Sequence, residues 1–332
     1  MILGYADYKD FLLGVEKLNE KNGRTYVYRY SKDVGWTAPR ASAGVTFDFV
    51  SDTEYLYLKL HTLPTNVNYC YVDVYADGVL VGHNGYCESN PPVEGDVEIS
   101  VTFKPGNKRI QVYFPTFYEC AIDHFELSDD AKYTPSNTDH NIVFYGDSIT
   151  QGYTCPYPGN TYPNIVCRNL NAKCLNQAAG GSIFTEKLIV ETSVKADLVC
   201  IAYGFNDWTQ GRDVENGAVW AIEEVKRVHP TAKIVVITPV FCGYTIADGK
   251  SQRAFFGMPD DREKNVSYDF YQLHKIIENV CANYPDVTVI DGLTLIPPET
   301  KYLQHDLVHP TEAGFMEYGK NLTKQLKAIL NA

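Results

Sequence analysis

Through the first 132 residues, apolar and polar positions alternate with the two-residue period of half-buried strands. Tyr55-Leu-Tyr-Leu-Lys-Leu60, Tyr69-Cys-Tyr-Val-Asp-Val-Tyr75 and Val97-Glu-Ile-Ser-Val-Thr-Phe103 are short and rich in β-branched and aromatic residues. Asp77-Gly78 between two such runs predicts a tight hairpin. Pro105-Gly106-Asn107, ahead of Lys108-Arg-Ile-Gln-Val-Tyr113, predicts another turn and strand. Residues 5–20 leave room for one short helix. Short strands at this spacing predict an all-β sandwich of jelly-roll type over residues 1–132. Residues 133–139, polar and turn-rich, are expected to be a linker.

From residue 140 the pattern changes. Apolar runs at 142–146, 173–176, 198–203, 233–238 and 287–290 alternate with amphipathic stretches at 161–170, 182–191, 214–228, 266–283 and 312–330. Leu198-Val-Cys-Ile-Ala-Tyr203 and Ile234-Val-Val-Ile-Thr238 are apolar almost throughout, as strands are when helices cover both faces of their sheet. The expected fold of residues 140–332 is a three-layer α/β/α domain with a parallel sheet. Such sheets gather ligands beyond the carboxyl ends of their strands. Ser148, Gly181 and Asn206 all follow predicted strand ends, so they converge in space.

Composition narrows the partners. The 332 residues carry a net charge of −12, which disfavours nucleic acid and anionic membrane. No apolar run reaches the roughly 20 residues a membrane helix needs. Met1-Ile-Leu-Gly-Tyr-Ala-Asp7 has no basic segment leading into a long apolar one, which favours the cytoplasm unless a leader has been removed. The nine cysteines form no Cys-x-x-Cys pair, so no zinc site is expected, and reduced core thiols are the favoured reading. No metal or organic cofactor is implied. The oligomeric state is not legible.

The chemistry lies in four short segments. Ile142-Val-Phe-Tyr-Gly-Asp-Ser148 delivers a hydroxyl at the end of an apolar run. Serine is a weak nucleophile and needs a base. Of eight histidines, His309 is the best placed, because Pro310 biases it onto a loop ahead of the last helix. Asp306, three residues earlier, can reach its Nδ1–H on a tight turn and fix the tautomer. The same spacing also serves plain loop capping. Attack on an ester needs donors for the oxyanion. Candidates are the Ser148 N–H, an N–H of the Asn176-Gln-Ala-Ala-Gly-Gly181 loop, and the Asn206 amide of Gly204-Phe-Asn206-Asp207. Gly180-Gly181 also reads as a strand-to-helix turn, and Asn206-Asp207 as an Asx-capped turn.

Taken together, these segments resemble the four blocks of the SGNH hydrolases, also called the GDSL esterase/lipase family. The resemblance implies Ser148 as nucleophile, His309 as base and Asp306 as its orienter, with Ser148 N–H, Gly181 N–H and Asn206 as the oxyanion hole. Ile149-Thr150 follows the first block where the family name has Leu, and Ala178 stands where many members have glycine. A β-sandwich ahead of such a domain is similar to the arrangement in several carbohydrate esterases. It points to a serine esterase removing acyl groups, acetyl foremost, from an oligosaccharide or small-molecule ester. The alternatives are an acyl hydrolase of lipids or thioesters, and a carbohydrate-binding protein with an inactive hydrolase domain. Asp147 and Trp208 are candidate substrate contacts, Trp208 as a pocket wall. Tyr153, Tyr157, Phe241, Tyr244 and Phe256 are further aromatic candidates. The segment from Pro239 to Asn265, with Arg253 and Phe255, is expected to shape the pocket.

Overall fold

In the computed structural model, residues 1–34, 37–65, 69–87, 93–185, 187–246 and 268–331 are described. The chain divides into two compact units. One comprises Met1–Asp139 with Pro156–Gly159 and Asn171–Asn176; the other comprises His140–Cys155, Asn160–Leu170 and Gln177–Ala332.

The first unit holds two antiparallel sheets. Strands β1 (Leu12–Leu13), β4 (Thr46–Ser51), β9 (Lys108–Tyr113), β6 (Tyr69–Ala76) and β7 (Val79–Cys87) lie in that order, with β11 (Tyr133–Pro135) beside β4. The second sheet runs β2 (Lys17–Lys21), β3 (Arg24–Tyr28), β10 (Tyr118–Leu127), β5 (Tyr55–Pro64) and β8 (Gly95–Thr102). Alternation sets the faces: along β5, Leu56, Leu58 and Leu60 are fully buried, and Tyr55, Tyr57 and Lys59 point the other way. The core between is aromatic, with Phe47 stacked on Phe125 at 4.6 Å. Asp77-Gly78 joins β6 to β7 as expected. The expected early helix is short, α1 (Tyr5–Tyr8). Part of the expected linker is a strand instead: Tyr133, Thr134 and Pro135 pair with Ser51, Val50 and Phe49.

The parallel sheet has the order β13 (Ala172–Asn176), β12 (His140–Gly146), β14 (Leu198–Ala202), β15 (Lys233–Ile237) and β16 (Val287–Ile290). The protein is therefore an α/β/α domain following a β-sandwich. The helices are α2 (Ser148–Gln151), α3 (Tyr162–Asn169), α4 (Phe205–Thr209), α5 (Val214–Val228), α6 (Gly243–Ile246), α7 (Phe270–Cys281) and α8 (Glu312–Asn331). Local chemistry sets their starts. Asp213 caps α5 through the Asn216 N–H, and Asp269 with Gln272 forms a capping box on α7. The buried stripe of α8 runs through Phe315, Tyr318, Leu322 and Leu326, a helical spacing.

One expected helix, 182–191, does not form. Ser182, Ile183 and the described residues after them follow turns and irregular backbone, while Leu188 and Ile189 are still buried. The Phe184 N–H donates to the Asp207 carboxylate at 3.1 and 3.2 Å, so a donor that a helix would use is bound elsewhere.

Candidate active site

Parallel register aligns the two loops that matter most. Gly146 of β12 lies opposite Ala202 of β14, so Ser148 and Gly204 each stand two residues past the same level of the sheet. Ser148 is the first residue of α2, whose N-cap is Asp147; the Asp147 Oδ1 accepts from Ile149 N–H at 3.0 Å. The Ser148 N–H belongs to the first helical turn, where backbone donors have no partner within the helix. From behind, Thr150 Oγ1 meets Tyr162 Oη at 2.8 Å, and Tyr162 stacks on Tyr318 at 3.9 Å. Three helices therefore fix the position of the serine.

A hydrogen-bonded line runs from Ser148 to Asp306. Ser148 Oγ donates to His309 Nε2 at 2.9 Å, and His309 Nδ1–H donates to Asp306 Oδ2 at 2.6 Å. The other carboxylate oxygen, Asp306 Oδ1, accepts from the backbone N–H of Val308 at 2.9 Å and of His309 at 3.0 Å. Capping and orienting, alternatives in the sequence, are both performed by the one side chain. The turn places Leu307 at φ +54°, a left-handed conformation that the bonds to Asp306 hold in place. Burial by itself would raise the Asp306 carboxyl. The hydrogen bond and charge of His309 and the two backbone N–H groups outweigh it and hold the carboxyl down at about 2. The Tyr153 ring meets the imidazole edge-on at 4.4 Å.

The donor loops are tied to each other. Gly180 stands against Ser148: a Cβ built on it would lie 3.6 Å from the serine Cβ. Its N–H donates to Gln151 Oε1 at 2.7 Å. Gly181, at φ +84°, has open space where a side chain would stand, and its N–H has no acceptor among the described residues. Asn206 Nδ2 donates one hydrogen to Ser182 O at 3.0 Å, which orients the amide and leaves its second hydrogen for other use. Gly204 allows the turn to pack closely, since a Cβ there would lie 2.9 Å from Ile277 Cδ1.

Gln151 was not foreseen from the sequence, and Asp207, read there as part of a capped turn, has a further contact. Gln151, fully buried, fixes Gly180; its spacing from Ser148, one helical turn on, was the available signal. Asp207, 1% exposed, holds the Phe184 N–H and so ties the Gly181 loop to the Asn206 turn. Burial raises its carboxyl to about 7, against the pull of the Phe184 N–H. Burial likewise raises Asp147 to about 6, against the Ile149 N–H and the His309 charge.

The expected substrate contacts fare differently. Asp147 is buried as a helix cap. Trp208, expected as a pocket wall, is 2% exposed, with its indole N–H donated to Tyr268 O at 2.8 Å and its ring packed on Phe270. It is core, because its indole N–H is satisfied inside the fold. Phe241 is also buried. Tyr157 belongs to the sandwich unit, stacked on His83 at 4.0 Å. Arg253, Phe255 and Phe256 lie outside the described residues, as does the side chain of Tyr244. A small, mainly apolar cavity of about 30 Å³ lies beside Asp147, Ile149 and Val308.

Residues 144–315, more than half of the chain, match the GDSL-like lipase/acylhydrolase family. The chain belongs to that family. No curated protein matches this acylhydrolase. Solved structures share the fold of the GDSL-like chain over nearly all its length. A salicylyl-acyltransferase from a tetracycline biosynthetic pathway superposes with a TM-score of 0.73 at 17% identity, covering 96% of this chain and 94% of that one. An acetyl xylan esterase from the rumen bacterium Butyrivibrio proteoclasticus gives 0.67 at 13%, covering 100% and 98%. A family two carbohydrate esterase from Clostridium thermocellum, in complex with cellohexaose, gives 0.65 at 14%, covering 96% and 99%.

Proposed function

We propose that this acylhydrolase is a serine esterase that removes acyl groups, acetyl foremost, from carbohydrate. The observation that carries the proposal is the unbroken line Ser148 Oγ, His309 and Asp306. In this reading Ser148 Oγ attacks the ester carbonyl while His309 Nε2 takes its proton. Asp306 keeps the proton on Nδ1 and stabilises the imidazolium. The oxyanion is met by the N–H groups of Ser148 and Gly181 and by Asn206 Nδ2. Collapse breaks the ester C–O bond, and His309 returns the proton to the leaving sugar oxygen. Water then attacks the acyl-serine with His309 again as base, releasing the acid and free Ser148.

The choice of an acetyl group is supported by the structural neighbour described as an acetyl xylan esterase. The choice of carbohydrate is supported by the structural neighbours described as an acetyl xylan esterase and a family two carbohydrate esterase. The test is turnover of a chromogenic acetyl ester, followed by a panel of acetylated xylo- and mannooligosaccharides read by mass spectrometry. Ser148→Ala is expected to lower kcat by about 10³-fold or more with the fold intact. Retained hydrolysis in that variant would remove Ser148 from its role. A preference for long-chain acyl esters over acetylated oligosaccharides would remove the substrate.

A further inference from the structure

The sandwich unit holds a cleft of about 220 Å³, built on strands β2, β3 and β10. Its floor is Tyr28, which pairs across the sheet with Lys17 and donates its hydroxyl hydrogen to Glu119 Oε1 at 3.0 Å. Lys32, Asp33 and Arg40 line the rim. Lys17 and Lys32 are exposed and have no ion pair among the described residues, and Arg40 holds Asp33 only at 3.6 Å, with both side chains solvated. In a chain of net charge −12, the three cations of this cleft outnumber its two carboxylates, Asp33 and Glu119, and reverse the sign locally by a small margin.

We infer that this cleft binds an acidic sugar, the uronate residue of an anionic oligosaccharide. Its charged groups and the Tyr28 ring each have a matching part of that ligand. The unpaired ammonium groups of Lys17 and Lys32 suit the uronate carboxylate. Asp33 and Glu119 have oxygens that accept from ring hydroxyls, and the Tyr28 ring offers an apolar surface to ring C–H groups. The volume suits one pyranose ring. The two carboxylates in the lining argue against phosphate-rich polyanions, which would meet them as like charge, and a neutral sugar would gain no charge attraction from the two lysines. The inference does not depend on ester hydrolysis.

Calorimetric titration of the full chain with tetragalacturonate and with neutral xylotetraose tests it. Binding of the acidic oligomer is expected with Kd on the order of 10⁻⁴ M at low salt, and at least about tenfold weaker for the neutral one. Raising salt to about 0.5 M should weaken the acidic ligand severalfold. The double variant Lys17→Ala/Lys32→Ala, altered only at exposed positions, should lose about tenfold or more in affinity for tetragalacturonate. Its turnover of an acetyl ester should be unchanged, so loss of binding and loss of hydrolysis are read separately. Equal affinity for the two oligomers, unchanged affinity in the double variant, or no detectable binding of tetragalacturonate would each overturn the inference. So would competition by inorganic phosphate at the same concentration as the sugar.

Discussion

Asp306 illustrates how one side chain settles several questions. Its Oδ1 shapes the turn and its Oδ2 orients the imidazole, so the residue cannot be altered without touching both. Asn206 is a cleaner probe, because only one of its amide hydrogens is held by Ser182 O. Asn206→Ala is expected to lower kcat by about 100–1000-fold with little change in KM, measured on the same chromogenic ester. An unchanged kcat would place the oxyanion elsewhere. At this scale the sequence was readable where motifs combine: the Asp306–His309 spacing alone left loop capping open, and its resemblance, with Ser148, to known blocks pointed to the residues that the structure brings together. It misled at Trp208, because an aromatic beside a motif looks the same whether it faces a cleft or the core. Only the partner of its indole N–H, the distant Tyr268 O, decides.

Among elements, the inner parallel strands β12, β14 and β15 were nearly as expected because each carries a continuous apolar run that only a doubly covered sheet accommodates, while the edge strands β13 and β16 include Lys173 and Thr288. The stretch 182–191 has apolar residues at helical spacing, and Phe184, Leu188 and Ile189 are buried, but the Phe184 N–H is claimed by Asp207 from another loop. Periodicity reports which side chains go inside and says nothing of where the N–H groups go. The junction of β12 and α2 is tight: a Cβ on Gly146 would lie 2.1 Å from Thr150 Oγ1. Gly146→Ala should therefore push α2 off its seat, costing about 1–3 kcal/mol in stability and a larger share of activity. Denaturant melts together with ester turnover check this. Stability and rate both at the wild-type level would show that α2 accommodates the methyl group.

For the molecule as a whole, buried ionisable groups set opposing responses to pH. Asp147 and Asp207 are raised to about 6 and about 7 in the fold, so between pH ~4 and those values the native state holds more protons than the unfolded chain. Their contribution to stability falls as pH rises through that window. Burial depresses His229 to about 4, so the unfolded chain binds more protons between that value and pH ~6.5, and stability rises with pH there. The single histidine offsets only part of the slope set by the two carboxyls. Asp207→Asn removes one of them: relative to wild type, its Tm should climb progressively from pH ~4 to ~7. Parallel Tm curves for the two proteins would show that the carboxyl is not raised in the fold.

The partners in the Ser148–His309 hydrogen bond stand 161 residues apart in the chain. Every strand of the parallel sheet after the first is synthesised between them. On the proposed mechanism, a ribosome-bound chain that has made the serine, the glycine loop and the asparagine still lacks its base and is chemically silent. The proposal then expects hydrolysis to begin only once the turn carrying His309 has docked, so turnover in a translation reaction would serve as a clock for completed folding.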